Sequence, residues 1–343
     1  MSEFVVLLSV PGLRQQDLVH MPRLRALTAE GDCAELVPSF PGVTCCVQAN
    51  MTTGLPPNEH GVVANGFYFR EEERCEMWIA PNSCIQRPQL WDIMHEHDPS
   101  LKSAAWFPLH SVGSGADVVC WPAPKHNPDG SESLWCYSKP EPLYAELLES
   151  LGHFPLQNFW GPFANIKSTE WIVTSAITAA ERFRPNLFYA YLAHLDYAAQ
   201  KEGPDSHAAI RALGELDEQI GRLVDGFSRA YLGTELLWLV ASEYVITPVD
   251  HVIYPNRLLR EAGLLSVKLE EGREQLDFTS SSAWAMVDHQ FSHIFVRDHD
   301  PQVCEQVFNL FSTKAGIAEV LRHDELDVYD LNHPLSGNLV LIS

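Results

Sequence analysis

The chain reads as an α/β protein: a mostly parallel central sheet flanked by helices, with a smaller α+β cap or lid. Three observations carry that expectation. First, the runs FVVLLSV (4–10), LFYAYLAHLD (187–196) and ELLWLVASE (235–243) are almost wholly apolar before their last residues. Such runs suit parallel strands that are covered on both faces. Second, Ile210, Leu213, Leu216, Ile220, Leu223, Val224 and Phe227 recur at steps of three and four between the last two runs, which marks an amphipathic helix. Strand, helix, strand in succession is the α/β pattern. Third, AWAMVDHQFSHIFVRD, PQVCEQVFNLF and NLVLIS, all beyond residue 270, read as strand, strand, helix, strand.

Taken in order, residues 1–265 are expected to form the core, 266–335 the cap and 336–343 a returning strand. Within the core, 71–160 hold six of the nine tryptophans and many prolines with little periodicity, so this stretch is expected to make long excursions around a pocket. Thr44 stands between a Pro-Gly turn and a helical run, where threonine is a favoured N-cap. Ligands of open α/β sheets collect beyond the carboxyl ends of the strands. Ser9 to Gly12, His194 to Asp196 and Ser242 to Tyr244 are therefore the first places to look for chemistry.

The 343 residues, 46% hydrophobic, suffice for a large core, so one large domain with an insert is expected. The formal charge of −22 opposes nucleic acid and anionic lipid, so neither is expected as a partner, and a polyanionic substrate needs a metal or a basic pocket. The first residues, MSEFVVLLSVPG, have too short an apolar run and no basic leader, and read as a buried strand. No stretch approaches a membrane span. Eight scattered cysteines without CxxC pairs read most simply as reduced thiols in the cytoplasm, although Cys75, Cys84, Cys120 and Cys136 lie close enough in sequence to permit disulfides in an exported protein.

A strand ending in Gly-Leu-Arg, then MPRLRALTAEG, then FPGVTCCVQANMTTGLPPNEHGVVANGFY, then AYLAHLDYAAQKEGPDS resembles the type I phosphodiesterase/nucleotide pyrophosphatase family of the alkaline phosphatase superfamily. The resemblance runs over nearly the whole chain, and its most specific part is the threonine segment with TGLPPNEHG. It implies an alkaline-phosphatase-like sheet with a cap. It also implies hydrolysis of phosphate esters, phosphodiesters or phosphonates, with zinc or another divalent metal helping to deprotonate a threonine nucleophile.

Carried over by position, Thr44 falls on the nucleophile and Asp196 on a metal-binding aspartate. Other expected ligands meet Pro11, Gln200, Glu243 and Tyr244, and the chain stops at Ser343 before a counterpart of the last histidine. The candidate metal set is therefore Asp196, Glu243, His289 and His293, with Asp288, His194 and His251 near it in pattern. Strand alternation is expected to put His289 and His293 on one face. Asn65, Arg14 and Tyr244 are the candidate substrate contacts, Arg14 being also a cation that Glu243 could pair with. Cys45 and Cys46 adjoin Thr44, but buried structural thiols are the expected reading.

Two readings from different classes stay open. One is a hydrolase acting on a small phosphorylated molecule through Thr44 with metal assistance. The other is an inactive pseudo-phosphodiesterase, without metal, that serves as a binding or scaffold protein; a C-terminally truncated enzyme is a third possibility.

Overall fold

The computed structural model describes residues 4–29, 31–127 and 131–343. The chain divides into two compact units. Unit 1 holds residues up to 38, 52–54 and 80–248, and unit 2 holds 39–51, 55–79 and 249–343. This division is interleaved in sequence and differs from the contiguous 1–265, 266–335 and 336–343 that the sequence suggests.

Unit 1 is built on a six-stranded sheet. Its strands are β1 (Phe4–Ser9), β4 (Ser103–Trp106), β5 (Val118–Pro122), β8 (Cys136–Lys139), β9 (Leu187–Tyr191) and β10 (Leu236–Ala241), in the order β10-β1-β9-β4-β5-β8. All neighbours are parallel except β5 and β8. A two-residue ribbon, β6 (Lys125–His126) and β7 (Glu132–Ser133), projects between β5 and β8. Three of the six strands come from the 71–160 stretch expected to wander around a pocket. Strands β4 and β5 are buried throughout, so their sequences carry no alternation to betray them.

The unit's helices are α1 (Pro22–Thr28), α4 (Leu90–His97), α5 (Leu143–Leu151), α6 (Ile166–Phe183), α7 (His194–Glu202) and α8 (His207–Ala230). Helix α8 follows most of the predicted periodicity: Leu213, Leu216, Ile220, Leu223 and Phe227 are buried, Val224 is half-buried and Ile210 is exposed. Its start is capped by the Ser206 hydroxyl, which accepts from Ala209 N–H at 3.1 Å. The buried Asp217 of α8 accepts the Arg23 and Leu24 N–H groups at 3.1 and 2.9 Å, so α8 caps the first turn of α1. Phe188 of β9 packs edge-on against Phe227, and Trp106 of β4 lies against Phe188, which seats α8 on the sheet.

Unit 2 contains a four-stranded antiparallel sheet, β13 (Ala283–Val287), β14 (Phe291–Val296), β15 (Glu319–Arg322) and β16 (Leu339–Ile342), in the order β13-β14-β16-β15. The final strand β16 thus belongs to this smaller sheet. Two hairpins, β2 (Gly66–Phe69) with β3 (Arg74–Met77) and β11 (Val267–Glu270) with β12 (Arg273–Leu276), complete its strands. Its helices are α3 (Pro57–His60), α9 (Pro255–Glu261) and α10 (Pro301–Phe311). Helix α2 (Thr44–Thr53) begins in unit 2, and its last two residues cluster with unit 1. Tyr68, Phe278, Trp284 and Phe295 stack into an aromatic cluster against the sheet. Among the described residues no helix is long and apolar enough to cross a membrane.

Candidate functional site

Thr44 is buried and is the first residue of α2 rather than its cap: the Val43 carbonyl already accepts the Val47 N–H at 3.0 Å. A helix start leaves backbone N–H groups that seek acceptors. One of them, Cys45 N–H, is taken by Asn65 Oδ1 at 3.0 Å. Asn65 is buried in turn and bound twice to Asp288. Its backbone N–H donates to Oδ2 at 2.8 Å and its Nδ2 to Oδ1 at 3.0 Å. His289 N–H adds a third bond to Oδ1 at 2.9 Å. The nearly fully buried Asp288 carboxylate therefore anchors Asn65, which orients the start of α2. Burial, and then the Asp288 charge, push the Cys46 thiol well up, so Cys46 stays a neutral packing residue.

The two histidines of this unit part company. His289 lies in the loop 288–290 between β13 and β14 and is exposed, whereas His293 lies within β14 and is fully buried. The expected shared face fails because the chain reverses at 288–290, and alternation does not run through a reversal. His293 Nδ1 accepts Gly337 N–H at 3.0 Å and its Nε2 lies 3.1 Å from the Val63 carbonyl, which fixes the Nε2–H tautomer. Both ring nitrogens are thereby committed to backbone. Burial lowers its pKa to about 4. A Cβ at Gly337 would meet Ile294 O at 2.6 Å, so only glycine allows this approach. His251 is exposed in a segment without regular structure.

In unit 1, β1 ends at Ser9 and the chain turns through Pro11 and Gly12. Gly12 has φ +81°, a conformation that side chains resist, and its N–H donates to the Tyr244 carbonyl at 2.9 Å. Asp196 does not end a strand. Strand β9 stops at Tyr191, and Asp196 is the third residue of α7, where a carboxylate suits a helix start. Tyr244 Oη donates to Asp196 Oδ2 at 2.9 Å, and Ser9 Oγ donates to Glu243 Oε1 at 2.6 Å. Asp196 and Glu243 are both buried. Tyr189, fully buried beside Ser9, has its phenol pushed well up by burial and then by the Glu243 charge.

The cation considered for Glu243, Arg14, is engaged elsewhere: it bonds Asp17 through Nε and Nη2 (2.8 Å at the shortest), Asp205 at 2.9 Å and the Pro204 carbonyl at 3.1 Å. Its pKa rises chiefly through Asp17. His194 is hydrogen-bonded to Glu215 at 2.8 Å, with a pKa lowered by burial. Gln200 is exposed.

Unit 1 thus brings Asp196 and Tyr244 together and ties Glu243 to Ser9, while unit 2 brings the first turn of α2, Asn65 and Asp288 together. The partnership of Ser9 with Glu243 was signalled only by Ser9 closing an apolar run, and that of Asn65 with Asp288 by no sequence pattern.

Paired zinc ions need roughly four donors each from His, Cys or carboxylate. Pro11 has no side-chain donor, Gln200 points to solvent, and both carboxylates accept from hydroxyls. Among the described residues no group of three or more His, Cys, Asp or Glu is arranged to hold a metal. These residues do not fit the two-metal centre that the resemblance implies.

Comparison with known proteins supplies the remaining observations. Residues 5–343 match the family model described as type I phosphodiesterase / nucleotide pyrophosphatase. An uncharacterized pyrophosphatase/phosphodiesterase of Schizosaccharomyces pombe is 24% identical over 259 residues, covering 74% of this chain and 46% of its own length. The chain therefore spans less than half of that curated relative. Among solved structures, phosphonoacetate hydrolase from Sinorhizobium meliloti in complex with phosphonoacetate superposes with a TM-score of 0.69 at 16% identity, covering 100% of this chain and 81% of that one. Murine ectonucleotide pyrophosphatase/phosphodiesterase 5 superposes at 0.67 and 16%, covering 99% and 78%. At such identities these two likenesses establish the fold.

Proposed function

The chain belongs to the type I phosphodiesterase/nucleotide pyrophosphatase family, and from that premise we propose that it hydrolyses phosphate esters, phosphodiesters or phosphonates with Thr44 as nucleophile. The observation that carries the reading is the position of Thr44 at the first residue of α2, in the most specific stretch of the family resemblance. A helix start offers N–H groups and a positive dipole end to a phosphoryl group. In the proposed reaction Thr44 Oγ bonds to phosphorus as the leaving group departs with a proton, and water then cleaves the adduct. Asn65, held by Asp288, is assigned to orient the helix start and to contact a substrate oxygen.

The substrate is a small phosphorylated molecule, since the charge of −22 opposes polyanions. The likeness to a phosphonoacetate-bound hydrolase supports including phosphonates. Eight free thiols support a reducing compartment such as the cytoplasm.

A second reading, a non-catalytic binding protein, is favoured by one observation: the Asp196 and Glu243 carboxylates accept hydrogen bonds from Tyr244 and Ser9. Hydrolysis of a chromogenic phosphodiester separates the two. Thr44→Ala is expected to lose about 100-fold or more of the turnover. Equal rates in both proteins would refute the role of Thr44, and no turnover in wild type would leave the binding reading.

A further inference from the structure

We infer that the carboxylates of unit 1 are held by hydroxyl donors in place of a divalent metal: Ser9 holds Glu243 and Tyr244 holds Asp196. The inference goes beyond the hydrolase reading and concerns unit 1 by itself, resting on the family resemblance for which carboxylates a metal would take.

A metal ion organises carboxylates by taking their lone pairs and cancelling their charge. Here a hydroxyl takes a lone pair on one oxygen of each carboxylate and leaves the charge in place. Ser9 Oγ lies 2.6 Å from Glu243 Oε1 and Tyr244 Oη 2.9 Å from Asp196 Oδ2, and such bonds to ionised acceptors are short and strong. Every member of the two pairs is fixed by the backbone around it. Ser9 closes β1 and Glu243 follows β10, the strand paired with β1 in parallel register, so the Ser9 and Ala241 positions stand side by side. Tyr244 is pinned through its carbonyl by Gly12 N–H, and Asp196 by its place in the first turn of α7.

Among the described residues no third His, Cys, Asp or Glu joins these carboxylates in a group that could hold a metal. Pro11 has no side-chain donor, and Gln200 is exposed. His194, two residues from Asp196, is hydrogen-bonded to Glu215. A neutral phenol is a poor metal ligand, and Tyr244 Oη is already engaged as a donor to Asp196.

The test uses the full chain, stripped with chelator, dialysed, and titrated with Zn²⁺, Mn²⁺ and Mg²⁺, with bound metal counted by atomic emission and stability followed by thermal melting. The expected result is no stoichiometric uptake and an unchanged melting temperature, because an ion bound only by the folded chain must raise it. Stoichiometric uptake that raises the melting temperature and is abolished by Asp196→Asn or Glu243→Gln would overturn the inference. Metal that survives both substitutions lies elsewhere and leaves it standing. The phosphodiester assay on the stripped protein keeps the two ideas apart. Turnover that is absent before stripping as well removes the hydrolase reading without touching the metal count, whereas turnover lost on stripping and restored by metal, or carboxylate-dependent uptake, removes the inference without touching the role of Thr44.

Discussion

The buried carboxylate of Asp288 in unit 2 and those of Asp196 and Glu243 in unit 1 are held by different kinds of donor, whereas Asp217, also of unit 1, is held by amide N–H groups as Asp288 is. In unit 2, Asp288 is satisfied by amide donors: two from Asn65 and one from the His289 backbone. In unit 1, Asp196 and Glu243 accept from the hydroxyls of Tyr244 and Ser9. Amide donors tie Asp288 to the start of α2, so it serves as an anchor for a helix. Ser9 and Tyr244 each donate one hydroxyl proton, so these unit 1 carboxylates are tied to side chains that close or follow strands. A carboxylate's role is thus set by the donors around it, and its type alone reveals little.

The comparison breaks first at Asn65. Asn65→Ala removes a donor from buried Asp288 and the acceptor of Cys45 N–H, which is expected to cost about 3 to 4 kcal/mol. Urea unfolding measures it, and a loss no larger than that of a surface substitution would show that Asp288 is not the anchor.

Next in size is the pH response of unit 2. Burial holds the His293 pKa at about 4 in the folded chain, against 6.5 ordinarily. The unfolded chain therefore binds the extra proton in that window. The contribution is complete above about pH 6.5 and is lost as pH falls toward about 4, roughly 3 kcal/mol in all. Unfolding free energies across this range should decline with acidity in wild type, and His293→Gln should remove that part of the slope. An unchanged slope would place the titration elsewhere.

The smallest effect is expected in unit 1. Tyr244→Phe removes one hydroxyl donor from Asp196 and should cost about 1 to 2 kcal/mol. A cost equal to that of Asn65→Ala would erase the distinction between amide-held and hydroxyl-held carboxylates.

Much of the architecture was legible from residue pattern. β1, β10 and α8 fall where apolar runs and three-to-four spacing put them. The run 187–196 misled by continuity: apolar residues carry on past Tyr191, but the chain has already left the sheet and begun α7 at His194. A short apolar run does not by itself distinguish strand from helix. The hairpin at 288–290 defeated alternation in the same way, separating His289 from His293. As site candidates the sequence named Thr44, Asn65, Asp196, Glu243 and Tyr244, and also Arg14, which pairs with Asp17, His289, which is exposed, and His293, which binds backbone. It could not name their partners, because Asn65 and Asp288 are 223 positions apart and Ser9 and Glu243 are 234. Contacts of that span arise from sheet and loop packing, which local pattern does not encode.

The central claim is that Thr44 carries the phosphoryl group during turnover. Acid-quenching the protein in mid-reaction with a phosphodiester or phosphonate and mapping its peptides by mass spectrometry tests this most directly. The account predicts a phosphoryl adduct on the peptide that begins α2, localised to Thr44 and absent from Thr44→Ala. Product formation with no adduct there, or an adduct on another residue, would contradict it.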